Sequence, residues 1–102
     1  TGCYKLAHAA EGLGMDCEVH SCGPAMRHLM AALRNSNFYE VNLIHPKCGN
    51  AWNLPIYGGG YSDELDCIDA GGCVTVPDGP GFGMHYDWDR IEATKLETVV
   101  LR

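Results

Sequence analysis

The pattern of apolar and polar residues predicts helices and strands in alternation along the first part of the chain. Residues 2–13 and 24–34 carry apolar side chains at helical spacing, which predicts two helices. Residues 15–20 and 38–44 alternate between apolar and polar side chains, which predicts two strands. Helix, strand, helix and strand in this order, with short connections, are typical of a parallel βαβ arrangement. We therefore expect an α/β fold.

Each predicted strand has one apolar face and one polar face. The polar face carries Asp16, Glu18 and His20 on the first strand, and Glu40 and Asn42 on the second. In an open parallel sheet, helices cover both faces and both faces are apolar. Polar groups along one face fit the interior of a barrel near its mouth better. The pattern thus favours strands that line a barrel.

The character of the sequence changes after Ile44. Residues 46–63 are rich in Gly, Pro and Asn, which predicts a long connection. Residues 65–76 predict a β-hairpin with a glycine-rich turn. Asp87 is expected to cap a short helix, and residues 98–101 predict a last strand.

Composition and charge exclude some classes of function. The 102 residues are enough for one modest domain. The net charge is −6 and the seven Lys and Arg residues are scattered, so a nucleic-acid partner is not expected. No apolar run approaches the roughly 20 residues of a membrane-spanning helix, so no membrane association is expected either. The acidic balance is ordinary for a soluble protein, and we expect a cytoplasmic location.

Six cysteines are many for this length. An even number can indicate a disulfide framework in a secreted chain. However, Cys17, Cys67 and Cys73 lie in strand-like apolar patterns, where a free cysteine packs as a small hydrophobic residue. No C-x-x-C pair occurs, so the spacing of a zinc finger is absent. Reduced, buried thiols are therefore expected, with a mixed Cys/His metal site as the alternative.

Three stretches of the chain resemble a known family. They are Glu18-Val19-His20, Tyr39-Glu40, and the segment 72–83, which contains V-x-V-P-x-x-P-G-x-G. Together they resemble the C-terminal part of an enolase-superfamily enzyme. The mandelate racemase-like subgroup, which includes the acid-sugar dehydratases, is the closest fit. The glycine- and proline-rich segment is fairly specific, whereas a histidine at a strand end alone is a weak signal.

The resemblance implies a (β/α)7β-type TIM barrel joined to an α+β capping domain. Residues 1–48 would be the C-terminal part of the barrel, from the sixth helix to the eighth strand, and so include its last two strands and helices. Residues 49–102 would be a C-terminal segment that returns to the capping domain. The chain would then be part of a longer enzyme, in contact with the rest of the barrel and the capping domain. We expect the intact enzyme to be a homo-oligomer and the isolated chain to be inactive.

The resemblance also implies roles for individual residues. His20 would be the general base or acid, paired with an Asp that precedes Thr1, and imidazole suits proton transfer near neutral pH. Glu40 would bind and polarise the carboxylate of a small-molecule substrate. Ser21 and Cys22 follow the first strand and would border the substrate, although Ser21 also suits a helix cap. The ligands of Mg²⁺ would all lie outside this sequence.

The implied chemistry is abstraction of the proton α to a carboxylate. The activity that we favour for the intact protein is Mg²⁺-dependent dehydration of a sugar acid to a 2-keto-3-deoxy acid. Racemisation or epimerisation of a 2-hydroxy acid is the alternative within the same superfamily. A stand-alone binding or Cys/His metal module without catalysis is the alternative from a different class.

Overall fold

The computed structural model describes residues 1–41, 45, 47–48 and 50–101. Within these residues the chain forms a short 3-10 helix and three α-helices. The α-helices are α1 (Gly2–Gly12), α2 (Pro24–Ala31) and α3 (Trp88–Thr94), and the 3-10 helix is Leu65–Cys67. The helices predicted at 2–13 and 24–34 are thus confirmed, each somewhat shorter than predicted. None of the helices in this described part is long and apolar enough to span a membrane.

Helix α2 begins at Pro24 because proline has no N–H to leave unpaired and its fixed φ suits a first helical turn. Gly23 precedes it with a φ of 116°, a conformation that side chains other than glycine rarely adopt. Met30 and Leu33 of the predicted apolar stripe are buried. Helix α2 therefore presents its expected face to the interior.

Asp87 caps α3, as the sequence predicts. Its Oδ1 accepts a hydrogen bond from the backbone N–H of Arg90 at 2.9 Å. The residues just before α3 run antiparallel to the glycine-rich connection. The N–H of Gly58 donates to the carbonyl of His85 at 2.8 Å, and the N–H of Asp87 donates to the carbonyl of Ile56 at 2.9 Å. These bonds hold the C-terminal segment against residues 56–58.

The prediction of strands at 15–20 and 38–44 is wrong for the described residues. Residues 15–20 and 38–41 form no strand ladder, and residues 42–44 lie outside the described residues. Residues 15–20 instead make hydrogen bonds from the N–H of Met15 to the carbonyl of Ala10, at 2.9 Å, and from the N–H of Cys17 to the carbonyl of Asn35, at 2.7 Å. The physical reason is that alternation shows which face a side chain takes, whereas a ladder requires an adjacent strand in register. Two strands of the expected barrel are therefore not observed as strands.

The predicted hairpin at 65–76 is present only around its turn. Ile68 and Val74 form an isolated antiparallel bridge, and the carboxylate of Asp69 accepts the backbone N–H of Gly71 at 2.8 Å. Leu65–Cys67, expected as the start of a strand, is instead the 3-10 helix. The last predicted strand, 98–101, has no regular secondary structure. In both places the described residues provide no neighbouring strand for a ladder.

The interior is small and largely polar. The buried apolar residues among those described are Ala7, Met30 and Leu33. The buried polar or charged residues are Arg27, Asn35, Asn50 and Asp63. Asn35 shows how these residues act, because its Nδ2 donates to the carbonyl oxygens of Ala7 at 3.0 Å and Met15 at 3.1 Å. Hydrogen bonds to buried polar side chains, more than apolar packing, join the segments of this chain.

None of the six cysteines, all of which are among the described residues, forms a disulfide. Their predicted burial is wrong, since Cys17 and Cys67 are partly exposed and Cys73 is exposed. The prediction assumed strands that are covered by helices. Without those strands, the thiols remain near the surface.

Candidate active site

His20 and Glu40 lie side by side. Nδ1 of His20 is 2.8 Å from Oε2 of Glu40. The same oxygen accepts a hydrogen bond from the backbone N–H of Ser21 at 2.5 Å. The side chain of His20 is 90 % exposed and that of Glu40 is 37 % exposed. The arrangement is a carboxylate that holds one ring nitrogen of an imidazole, while the rest of the ring is open to solvent.

A cleft of about 350 Å³ opens at this pair. Its volume lies in the range of small-molecule sites, roughly 300–1,000 Å³. The cleft is formed by the two segments that the sequence predicts as strands. Its lining residues are Glu18, Val19, His20, Phe38, Tyr39 and Glu40.

Glu18, one of the residues that line the cleft, joins the two segments. Its carboxylate accepts the backbone N–H groups of Asn37 and Phe38, each at 3.0 Å, and the hydroxyl of Ser36 at 3.3 Å. The hydrogen bond from Phe38 lowers the pKa of Glu18, the bonds from Asn37 and Ser36 add to this effect, and slight burial opposes it. The carboxylate of Glu18 is exposed, and backbone N–H groups of the second segment are its main donors.

Tyr39, the residue before Glu40, links its segment to Gly23 and to Asp63. Its hydroxyl oxygen accepts the N–H of Gly23 at 2.7 Å, and its own O–H donates to Oδ1 of Asp63 at 2.6 Å. Burial raises the pKa of Tyr39 to about 12, and the hydrogen bond to Asp63 acts in the same direction. At neutral pH the hydroxyl is therefore protonated and able to donate.

Asp63 is the centre of a group of buried and half-buried side chains that we call the Asp63 cluster: Arg27, Tyr39, Tyr61 and Asp63. Oδ1 of Asp63 lies 2.7 Å from Nη2 of Arg27, and Oδ2 accepts the hydroxyl of Tyr61 at 2.7 Å. The guanidinium also lies over the ring of Tyr61, 4.5 Å from its centroid. The charge of Asp63 is thus compensated inside the protein.

Arg27 connects the Asp63 cluster to the C-terminal half of the chain. Its Nη1 donates to the carbonyl of Thr75 at 2.8 Å, and its Nη2 donates to the carbonyl of Ser62 at 2.5 Å. Sequence reasoning missed this residue, although its position three residues before Met30 places it on the buried face of α2. No sequence signal indicated Asp63, which is 36 residues away from its partner.

A second cavity, of about 380 Å³, is lined in part by Arg27. The glycine triplet 58–60, Cys67 and His85 are part of its wall. Nε of Arg27 is buried and has no hydrogen-bond partner among the described residues. This cavity is slightly larger than the cleft at His20, but it contains neither His20 nor Glu40. His20 and Glu40, the pair suited to proton transfer, therefore line the smaller of the two spaces, the cleft of about 350 Å³.

Ser21 and Cys22 have different relations to the site. Ser21 contacts Glu40 through its backbone N–H, and its φ of 95° is a strained conformation for a residue with a side chain. Its alternative role as a cap of α2 is wrong, because the cap residue is Gly23 and no side chain bonds there. Cys22 does not line the cleft, and its Sγ lies 3.5 Å from Nδ2 of Asn50.

Comparison with known proteins connects this geometry to a family. A family model described as enolase C-terminal domain-like matches residues 1–90. The chain belongs to the enolase C-terminal domain-like family. No curated protein and no solved structure matches it significantly. The resemblance to the enolase superfamily is thus confirmed, and the acid-sugar dehydratase subgroup remains a prediction.

Enolase-superfamily proteins have mixed α/β folds, and their enzymes are lyases or isomerases that generally use Mg²⁺. Among the residues described for this chain, however, no three His, Cys, Asp or Glu side chains lie close enough together to hold a metal ion. These residues do not fit a magnesium site, and we assign no step to a metal. The alternative of a Cys/His metal module also finds no support in this part of the chain.

Proposed function

We propose that this chain supplies the proton-transfer histidine of an enolase-superfamily dehydratase that acts on a sugar acid. The contact of 2.8 Å between Nδ1 of His20 and Oε2 of Glu40, at the mouth of an open cleft, carries the proposal. Membership of the superfamily supports a reaction that begins α to a carboxylate. Ser21 supports it too, because its backbone N–H fixes the carboxylate that faces His20.

In the proposed site, Glu40 determines which ring nitrogen of His20 carries out proton transfer. When Nδ1–H donates to the carboxylate, the neutral imidazole keeps its lone pair on Nε2. Nε2 is then the atom that takes or gives a proton at the substrate. The hydrogen bond to Glu40 also stabilises the imidazolium that forms when Nε2 is protonated. Binding and polarising the substrate carboxylate, the role that the resemblance implies for Glu40, remains a prediction.

The proposed dehydration removes a proton from C2 and the hydroxyl group from C3 of the sugar acid, together as one water molecule. A base, either His20 itself or a Lys elsewhere in the barrel, takes the proton from C2 of the sugar acid. The electron pair of the broken C2–H bond forms a C2=C3 double bond, and the C3–O bond breaks. Nε2–H of His20 protonates the departing hydroxyl, which leaves as water. The enol that remains tautomerises to the 2-keto-3-deoxy acid.

The proposal includes the setting of a (β/α)7β barrel. Residues 1–48 would be the C-terminal part of that barrel. Residues 49–102 would return to the capping domain, and the ligands of Mg²⁺ would come from outside residues 1–102. Contact with the rest of the barrel and the capping domain, and a homo-oligomeric intact enzyme, are parts of the same proposal.

The test is a screen of sugar acids with the intact protein, with detection of 2-keto-3-deoxy acids as products. We expect His20→Asn to lower turnover of the best substrate by about 10²- to 10⁴-fold, the usual contribution of a general acid or base. His8→Asn is the matched control, because His8 lies on α1 and contacts Glu11 rather than the cleft. Full activity of His20→Asn would remove His20 from the reaction. Exchange of the C2 proton, or inversion at C2, without loss of water would identify the racemase or epimerase instead.

A further inference from the structure

We propose that Tyr39 and Asp63 are positioning residues for the His20–Glu40 pair. They would act through the backbone of residues 21–23, without contact with the reacting atoms. The inference deepens the proposed function, and it rests on that function only in treating His20 and Glu40 as the reacting pair.

Two adjacent residues, Tyr39 and Glu40, hold one short loop at both of its ends. Oε2 of Glu40 accepts the N–H of Ser21 at 2.5 Å, and the hydroxyl of Tyr39 accepts the N–H of Gly23 at 2.7 Å. Ser21 has a φ of 95° in this loop, a conformation that persists only where surrounding contacts impose it. The bonds from Glu40 and Tyr39 are such contacts. The loop begins directly after His20, so its conformation affects the position of the His20 backbone and of the Glu40 carboxylate that holds Nδ1.

The hydroxyl hydrogen of Tyr39 points toward Asp63. The oxygen presents a lone pair to Gly23 only while its hydrogen points elsewhere. Oδ1 of Asp63, at 2.6 Å, takes that hydrogen. Asp63 is completely buried, and Arg27 compensates its charge at 2.7 Å. The position of the carboxylate is therefore fixed, and it fixes the orientation of the hydroxyl in turn.

The Asp63 cluster contains a second tyrosine, Tyr61, which can be compared with Tyr39 because it also donates to Asp63. The hydroxyl of Tyr61 donates to the other oxygen of the same carboxylate at 2.7 Å. The described contacts of Tyr61 include none with residues 20–23. Loss of either hydroxyl removes one hydrogen bond to Asp63 and the interaction between the two hydroxyls, but only the loss at Tyr39 also removes the bond to Gly23. Tyr61→Phe is thus a matched control for Tyr39→Phe, and both variants retain the aromatic ring.

The experiment follows the backbone amide of Ser21 by NMR in the intact protein labelled with ¹⁵N-serine, with Ser21→Ala to assign the resonance. A short hydrogen bond to a carboxylate moves an amide proton downfield. We expect Tyr39→Phe to move the Ser21 amide proton upfield and to accelerate its hydrogen exchange about tenfold, because one of the bonds that holds the loop is lost. Tyr61→Phe should leave both quantities close to those of the wild type. Glu40→Gln should also move the resonance upfield, which would confirm that this amide reports on the carboxylate.

Unchanged Ser21 spectra and exchange in Tyr39→Phe, or equal changes in Tyr39→Phe and Tyr61→Phe, would overturn the proposal. The readout does not depend on turnover. A negative result in the sugar-acid screen with the expected response of Ser21 would therefore count against the proposed reaction alone. A positive screen without the response of Ser21 would count against the positioning roles alone.

Discussion

Arg27 and Asp63 form a buried ion pair across 36 positions of the chain, with Nη2 of Arg27 2.7 Å from Oδ1 of Asp63. The side chain of Arg27 is 4 % exposed and that of Asp63 is 0 % exposed. The pair connects α2 to the segment that precedes the 3-10 helix. In a protein with so few buried apolar residues, this contact is a main link between the two halves of the chain.

Removal of one partner of this pair should destabilise the protein strongly. We expect Arg27→Met to lower the free energy of unfolding by about 3–5 kcal/mol, because it leaves the carboxylate of Asp63 buried without its counter-charge. Urea unfolding of the intact protein measures the loss. The double variant Arg27→Met/Asp63→Leu should recover much of it, since both charges are then absent. Arg34→Met is the control, because Arg34 is exposed in its contact with Glu11 and its loss should hardly move the unfolding midpoint. Equal effects of Arg27→Met and Arg34→Met would contradict the prediction.

The contribution of Glu18 to stability should depend on pH. Hydrogen bonds from backbone N–H groups lower its pKa in the folded protein below the ordinary value of 4.5. The unfolded chain therefore binds the proton more readily, and the stabilisation by Glu18 is fully present above pH 4.5. This stabilisation is lost as the pH falls from 4.5 through the lower pKa that Glu18 has in the folded protein. The measurement is the difference in unfolding midpoint between wild type and Glu18→Gln, titrated from neutral pH downward. A difference that stays constant across this range would show that the carboxylate charge is not what these bonds stabilise.

Gly83 should not tolerate a side chain. It has a φ of 63°, and a Cβ at this position would lie 2.8 Å from the carbonyl carbon of Asp78. Gly81 has a similar φ of 67° but no atom within 4 Å of such a Cβ, so it isolates the cost of the backbone conformation. We expect Gly81→Ala to destabilise the protein by about 1–2 kcal/mol and Gly83→Ala by clearly more, because only Gly83→Ala adds a steric clash with the backbone. Thermal unfolding of both variants checks this, and an equal loss at the two positions would show that the backbone at 78 moves aside.

The candidate site shows both how far sequence reasoning reaches and where it stops. His20 is the last residue of the first alternating segment, Glu40 lies on the polar face of the second, and the structure brings them into contact. Their neighbourhood was predictable from the resemblance to the enolase superfamily, which implies that both residues belong to one site. The contribution of the Ser21 N–H was not predictable, since any residue carries this group. Asp63 gave no signal either, because it lies in a glycine-rich connection whose path no periodic pattern describes.

Properties that depend on neighbours along the chain follow from the sequence of this protein. The apolar spacing of α1 and α2, the cap at Asp87 and the glycines of the segment 72–83 express local backbone preferences, and the structure agrees with them. Properties that depend on distant neighbours follow only from the path of the chain. The described residues 15–20 and 38–41 form no ladder, the carboxylate of Glu18 bonds to backbone N–H groups of residues 37 and 38, and the interior is built around Arg27 and Asp63. A hydrogen bond or an ion pair across tens of residues forms only where folding brings both groups within about 3 Å, and no local pattern encodes that meeting.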